Sequence, residues 1–270
     1  MQIVSIGSSS SGNSYIIQAA GKVMVLDAGL SCIKITRALE ELGLGPEDVS
    51  AILITHEHGD HVKSVRTLAR KCPDALVYAS LGTVENCEVF DAIDDERIVL
   101  MRAGDEASVD DVLIRAFALS HDATEPIGYS VTADGEKLSV VTDTGIVTGE
   151  IYEEISDASM LVLEANHDEH LLMYGEYPYH LKQRIKSDEG HLSNRAAGEL
   201  LAELLEERQN SSDGGFTPFP VMLAHLSFHN NAPFRARSSI EEILEAAGFT
   251  RDEHYTLTIA SKEEMTVFGE

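Results

Sequence analysis

Basic residues are scarce in this chain. Twenty lysines and arginines stand against 46 aspartates and glutamates among 270 residues, a formal net charge of −26. Such a surface repels polyanions over ~8 Å at physiological ionic strength. A nucleic-acid ligand therefore needs local positive charge, from bound metal ions or a basic cluster. Alternatively, the acidity is an adaptation to a salty cytoplasm that screens it. Cysteine is scarcer still: Cys32, Cys72 and Cys87 are odd in number and form no C-x-x-C pair. That argues against a disulfide framework and against a thiolate zinc site. No apolar run approaches the ~18 residues of a membrane span, and no basic segment leading into an apolar stretch opens the sequence. A cytoplasmic protein with no membrane partner is the expectation.

The hydrophobic fraction, 43%, is ordinary for a globular chain of this length. Runs of β type cover Gln2–Ile6, Ser14–Ala19 and Lys22–Asp27, the last two joined as a hairpin through Ala20-Gly21. "LSCIKITRALEELGLG" has helical spacing with Ile33, Leu39 and Leu42 on one face. "AILIT" (Ala51–Thr55) reads as a buried strand, followed by a helix from near His61 to Arg70 and a strand at "ALVYAS". Ile98 to Val141 is mainly β; later come strands at Met160–Asn166 and Val221–Ser227, and helices over Asn194–Arg208 and Ser239–Ala247. "YTLTIA" and "MTVFG" are closing strands, and the polar stretch Gln209–Pro220 reads as a surface loop. Two mixed β/α halves suggest sheets packed together with helices outside, in one domain over 1–270.

Between the strand at Ala51–Thr55 and the next helix lies "HEHGDH", three histidines and two carboxylates in six residues. Imidazole and carboxylate are the ligands expected for zinc, manganese or iron, and a loop at a strand end is where sites form. His56 and His58 are two apart, so on an extended segment they leave the same face. Asp60 and His61 follow across a turn permitted by Gly59. The pattern splits the ligands between two ions.

"HEHGDH" matches the H-x-H-x-D-H signature of the metallo-β-lactamase superfamily, and the chain resembles that superfamily along most of its length. The resemblance implies an α/β fold, the αββα sandwich of two mixed sheets packed face to face with helices outside. It also implies further ligands: His121 in "ALSHDA", Asp143 in "VVTDTG" and His225 in "LAHLS", with Asp27 of "LDAG" supporting the site from behind a ligand histidine. His56, His58 and His121 would hold one divalent ion, Asp60, His61 and His225 another, and Asp143 would bridge them beside a hydroxide. Asp60 is the carboxylate expected to orient that nucleophile or accept its proton.

"GSSSSGN" (Gly7–Asn13), "EANHD" (Glu164–Asp168), "YPYHLKQRIKSDEGHLSN" (Tyr177–Asn194) and "LAHLSFHNN" (Leu223–Asn231) resemble the YycJ/WalJ-like subgroup of single-domain exonucleases. This implies a two-metal phosphodiesterase acting on DNA 5′ ends in the 5′-to-3′ direction, linked to DNA repair. The residues add their own reading. His191 could protonate a leaving oxygen or bind phosphate, or be structural. Ser193 and Asn194 stand at a helix start, where exposed N–H groups can bind phosphate or Ser193 can simply cap. His167 ends a strand pointing toward the site, and Asn13 either lines the pocket or makes a tight turn. "KQRIK" (Lys182–Lys186) is a basic cluster that could touch a nucleic-acid backbone or cover a helix face. A glyoxalase II-like thioesterase or lactonase would use the same ligands, and a non-catalytic regulatory module would have lost some of them; none is lost.

Overall fold

The computed structural model describes residues 1–211 and 217–269. Fourteen strands form two seven-stranded sheets among these residues. The first contains β1 (Gln2–Gly7), β2 (Ser14–Ala19), β3 (Lys22–Leu26), β4 (Val49–Leu53), β5 (Leu76–Ala79), β6 (Ile98–Leu100) and β14 (Thr266–Gly269), in the order β14-β1-β2-β3-β4-β5-β6. The second contains β7 (Glu106–Val109), β8 (Val112–Ala118), β9 (Ile127–Ala133), β10 (Glu136–Val141), β11 (Met160–Glu164), β12 (Phe219–Ala224) and β13 (Tyr255–Ile259), in the order β13-β12-β11-β10-β9-β8-β7. Helices α1 (Cys32–Glu41), α2 (Gly59–Val62), α3 (Val65–Lys71) and α4 (Leu81–Glu85) belong to the first half of the chain. The second half carries α5 (Gly149–Ser156), α6 (Glu169–Tyr174), α7 (Tyr179–Ile185), α8 (Asn194–Ser211) and α9 (Pro233–Ala246).

Each sheet begins as antiparallel hairpins and continues as parallel strands with helical crossovers, β3 to β6 in one and β10 to β13 in the other. The β2–β3 hairpin turns through Ala20 (φ 45°) and Gly21 (φ 74°), the left-handed pair that matches strand twist. Alternate strand residues face inward and fill the space between the sheets, among them Ile17, Met24, Leu53, Ile114, Tyr129, Val162 and Met222. The opposite faces pack on helices: Ile16, Val25 and Ile52 against α1 and α3, and Leu161, Leu163 and Val221 against α5, α8 and α9. Each fully buried side chain of this kind contributes roughly 1.5–3 kcal/mol. This is the αββα sandwich.

The topology also gathers the strand ends. β3 and β4 run parallel, as do β10, β11 and β12, and β8 is turned twice through β9 to run with β10. The carboxyl ends of β3 and β4 lie at one edge of their sheet, and those of β8, β10, β11 and β12 at one edge of the other. Tyr129 Oη joins the sheets by donating to the carbonyls of Ile54 (3.1 Å) and Tyr78 (3.2 Å), and the Ile127 N–H donates to Thr55 O at 3.0 Å.

Several expectations are corrected. Ile33 is 62% exposed, and the buried face of α1 is Ile35, Ala38 and Leu39, because residues six apart in a helix do not share a face. The helix expected from His61 to Arg70 is two short ones, broken at Lys63-Ser64, where the Ser64 hydroxyl donates to Leu30 O. α9 starts at Pro233, six residues before the expected Ser239, since proline is well suited to a first helical turn. Of the expected loop Gln209–Pro220, residues 209–211 end α8 and 219–220 begin β12, while 212–216 lie outside the described residues. Among the described residues no helix is long and apolar enough to cross a membrane.

Candidate metal centre

Seven side chains meet where the strand ends converge. His56 and His58 follow β4, Asp60 and His61 sit in α2, His121 follows β8, Asp143 follows β10 and His225 follows β12. The ring centroids of His56 lie 4.6 Å from His58, 4.2 Å from His61 and 5.0 Å from His121. Nδ1 of His58 and Nε2 of His121 are only 3.3 Å apart, so the two lone-pair positions aim at one small volume. Three compact groupings have ligand atoms within 4.8 Å of one another: His56, His58 and His121; Asp60, His61 and His225; and His56, His61 and Asp143. His56 and His61 each recur in two of these groupings, and Asp143 stands among the surrounding histidines. Its carboxylate lies 3.3 Å from His61, 3.5 Å from His225, 3.7 Å from His191 and 3.8 Å from His121.

The nitrogens that face away from this centre are held by the protein. Asp27 Oδ2 accepts from His61 Nδ1 at 2.7 Å, and Asp27 also accepts from the Thr55 N–H and hydroxyl. His121 Nδ1 donates to Gly190 O at 3.1 Å, and His225 Nδ1 to Glu164 Oε1 at 2.7 Å. Each of these bonds sets the tautomer so that Nε2 presents a lone pair inward. Asp27, Asp143 and His225 all have left-handed backbones, with φ of 57°, 59° and 55°. That conformation is uncommon outside glycine and costs of order 1 kcal/mol or more per residue, a strain typical of functional sites.

The donor set fits a cation. His56 Nε2, Asp143 Oδ2 and His225 Nε2 are buried with no hydrogen-bond partner, though each such atom costs about 1–3 kcal/mol when left unpaired. Charges show the same demand. Burial alone would strip a proton from His61, but Asp27 and then Asp143 outweigh it and raise its pKa to about 9. Burial likewise opposes protonation of His225, which Asp143, Asp60 and Glu164 raise well above the ordinary histidine range. His56 behaves oppositely: burial, then the neighbouring His61 and His121, hold it well below that range. The centre thus disfavours a proton at His56, while its other side is rich in carboxylate. Asp60, whose side chain is 26% exposed, is kept well below the usual carboxylate range by His225 and His61 against the effect of burial.

Glu164 is the residue that sequence reasoning missed. It is fully buried at the end of β11, and its Oε1 accepts from both His191 Nδ1 (2.8 Å) and His225 Nδ1 (2.7 Å). Its Oε2 accepts from the N–H groups of Thr144 (3.1 Å) and Leu192 (3.2 Å). With both oxygens engaged, Glu164 orients histidines rather than offering a ligand, although it lies close enough to Asp143, His191 and His225 to form a fourth grouping. A carboxylate ending the otherwise apolar "MLVLE" was the available signal. Ser8 was also missed: its Oγ accepts from the His225 N–H at 2.7 Å.

The remaining expected residues divide. Asn13 Nδ2 lies 3.2 Å from His61 Nε2 and 3.5 Å from Asp60 Oδ2, at the centre's rim. His191 stands beside the cluster, its ring 5.1 Å from those of His121 and His225. His167 is buried with Nδ1 unpartnered, and burial lowers its pKa to about 4, but it belongs to none of the groupings. Ser193 caps α8, its Oγ accepting from the Ala196 N–H at 3.1 Å, and the Asn194 amide pairs with that of Asn231. Neither joins the centre. Within the basic cluster, Arg184 binds Asp122 and Lys182 donates to the carbonyls of Met173 and Gly175. Those two cations are committed to the protein itself. All three cysteines are free thiols.

A family model described as "Beta-lactamase superfamily domain" matches residues 23–209. The chain is 37% identical over 246 residues to the exodeoxyribonuclease YycJ of Bacillus anthracis, spanning 90% of this chain and 89% of the relative. It is 38% identical over 229 residues to the exodeoxyribonuclease WalJ of Streptococcus pneumoniae, spanning 84% and 81%. Among solved structures, the metallo-β-lactamase fold protein YhfI of Bacillus subtilis superposes with a TM-score of 0.69 at 14% identity, covering 98% of each chain. Zinc-bound PqqB of Methylobacterium extorquens superposes at 0.68 with 16% identity, covering 98% of this chain and 99% of its own. At such identities these two speak for the fold alone.

Proposed function

The chain belongs to the β-lactamase superfamily, and on that premise we propose that it is a metal-dependent exodeoxyribonuclease of one domain. It removes nucleotides from DNA 5′ ends in the cytoplasm, in the service of DNA repair. The observation that carries this reading is the 37–38% identity to two exodeoxyribonucleases across more than four-fifths of each chain.

His56, His58 and His121 would hold one divalent ion, zinc or manganese or iron, and Asp60, His61 and His225 a second, with Asp143 reaching both. Bound there, such ions supply Lewis acidity, acidifying water toward a nucleophile and neutralising charge on phosphate oxygens. The chain's own groups do the rest. Asp60, the ligand carboxylate most open to solvent, accepts a proton from the attacking water. Glu164 engages His191 Nδ1 and leaves Nε2 for proton transfer to the leaving oxygen. Asp27 and Glu164 hold His61 and His225 in register, so the site needs little rearrangement on binding substrate.

The test uses end-labelled, 5′-phosphorylated duplex DNA with metal-loaded protein, in low and in molar salt because a charge of −26 repels DNA unless screened. The expected product is a ladder shortened from the 5′ end, abolished by chelator and restored by zinc or manganese. Intact DNA in both salts, beside turnover of thioesters or lactones, would replace this reading with the glyoxalase II-like one.

Two further results are expected. Dialysis against a chelator lowers the Tm by about 5–10 °C, because an ion bound only by the folded state stabilises it by a few kcal/mol. An unchanged Tm would mean the unpaired buried atoms are not ion ligands. Glu164→Gln weakens metal affinity by about 10–100-fold in a competitive chelator titration, since the amide carries no charge to hold His191 and His225. Nor can its NH2 accept, so it cannot serve both these rings and the Thr144 and Leu192 N–H groups as the two carboxylate oxygens do. Wild-type affinity in this variant would remove Glu164 from its orienting role.

A further inference from the structure

Beside the metal centre runs a groove of about 620 Å³, lined by Ser8, Leu226, Phe228, Asn231, Ser261 and Lys262 among others. It shares a wall with the centre, because Ser8, which lines it, accepts the His225 backbone N–H through Oγ. Phe228 lies three residues past His225 and is 68% exposed. Its loop is well anchored. The Ser227 N–H donates to Asn166 O at 2.8 Å, the Asn230 N–H donates to Ser227 Oγ at 3.2 Å, and Asn230 O accepts from the Asp168 N–H at 2.8 Å. A rigid loop that holds an aromatic ring in water gains nothing for folding by doing so. Nor is the ring alone: the exposed aromatics among the described residues, Tyr174, Tyr179, Phe228 and Phe234, all fall between 174 and 234. Lys262 Nζ stands 4.1 Å over the Phe228 ring centroid, a cation set directly at the ring on a wall that also carries Glu263 and Glu264.

We infer that Phe228 and Lys262 form a nucleotide subsite, in which the Phe228 ring stacks on a nucleobase of the strand being digested and Lys262 contacts an adjacent phosphate. The inference rests on the nuclease reading. Its chemistry follows from the components. A flat exposed ring beside a cation matches a nucleotide, whose base has a π face and whose phosphate is anionic. Stacking is indifferent to base identity, as suits an enzyme that must remove every nucleotide in turn. The shared wall with His225 sets the subsite beside the cleavage position.

The experiment is a cycle of protein and substrate changes. Wild type and Phe228→Ala digest oligonucleotides with a 5′-phosphorylated single-stranded end, either intact or with one abasic residue scanned over the first few positions. Phe228→Ala raises KM for the intact strand by about tenfold. One abasic position costs wild type a similar factor and costs Phe228→Ala nothing further, whereas Phe228→Tyr restores the wild-type pattern. Lys262→Gln flattens the salt dependence of KM. Equal abasic penalties in wild type and Phe228→Ala, or an unchanged KM, would overturn the subsite while the nuclease reading stands. Failure of wild type to digest any of the strands would overturn both.

Discussion

Asp143→Asn should reduce DNA hydrolysis by about 10³-fold or more, the largest effect expected of any single isosteric change here. Among the described residues, Asp143 is the one carboxylate within 4 Å of His61, His121, His191 and His225 together. Its Oδ2 is buried without a hydrogen-bond partner, 3.3 Å from His61 Nε2, so the charge is lost without breaking a hydrogen bond at that oxygen. Asparagine keeps the shape and tolerates the left-handed φ of 59°, which alanine would not. The loss therefore falls mainly on the metal centre. Metal analysis should find about two ions per wild-type chain and about one or fewer in the variant, while the Tm of both in chelator agrees within a few degrees. Full metal content with activity within tenfold of wild type would sink the shared-ligand role of Asp143.

Gly29→Ala should damage the protein more than any change within the "HEHGDH" motif's own turn. A Cβ on Gly29 would stand 1.5 Å from Asp60 O, 2.2 Å from its carbonyl carbon and 2.9 Å from the Asn13 N–H nitrogen. All three obstacles are backbone. The same segments are pinned together by Asn13 N–H to Asp60 O (2.8 Å), Gly29 N–H to Asn13 O (2.9 Å) and Ala28 N–H to His61 O (2.7 Å). Relief of the clash requires moving Asp60 and His61, so stability and metal binding should fail together. A cost of about 3–4 kcal/mol or more is expected, seen as a Tm lower by about 10 °C. Gly59→Ala is the control. Gly59 has an ordinary backbone and no atom within 4 Å of an added Cβ, so its Tm should hold within a few degrees. Comparable losses in both variants would refute the close-approach argument.

The contrast between these glycines marks what a linear reading can and cannot reach. Gly59 sits inside the motif, where a turn suggested that glycine was needed, yet the turn does not require it. Gly29 closes "LDAG", where only Asp27 was given a role, and it carries the constraint, because its neighbour in space is 31 residues away in sequence. Glu164 escaped notice for a similar reason. It ends an apolar strand, and only the parallel pairing of β11 between β10 and β12 brings it under His225 and within reach of His191. Ser193 and Asn194 left two readings open, phosphate binding and capping. As sequence they open a helix that could take phosphate, but in space their polar atoms are used by the Ala196 N–H and by Asn231.

Ligand chemistry, by contrast, could be read in the sequence because it is local. Imidazole and carboxylate density in "HEHGDH", strand alternation, and hydrophilic breaks at hairpins each depend on residues a few positions apart. The sandwich followed from such signals together with family resemblance, and the same signals named the side chains that the fold brings together. The α1 face was misread where the spacing itself was misapplied, with Ile33 in place of Ile35. What the tertiary structure alone decided was which groups stand behind the ligands: Asp27 at His61, Glu164 between His191 and His225, Ser8 at the His225 N–H, and Phe228 beside the cleft. Those contacts join segments up to 217 residues apart. Hydrogen bonding and close packing depend on distances of a few ångströms, and such distances exist only once both sheets are assembled.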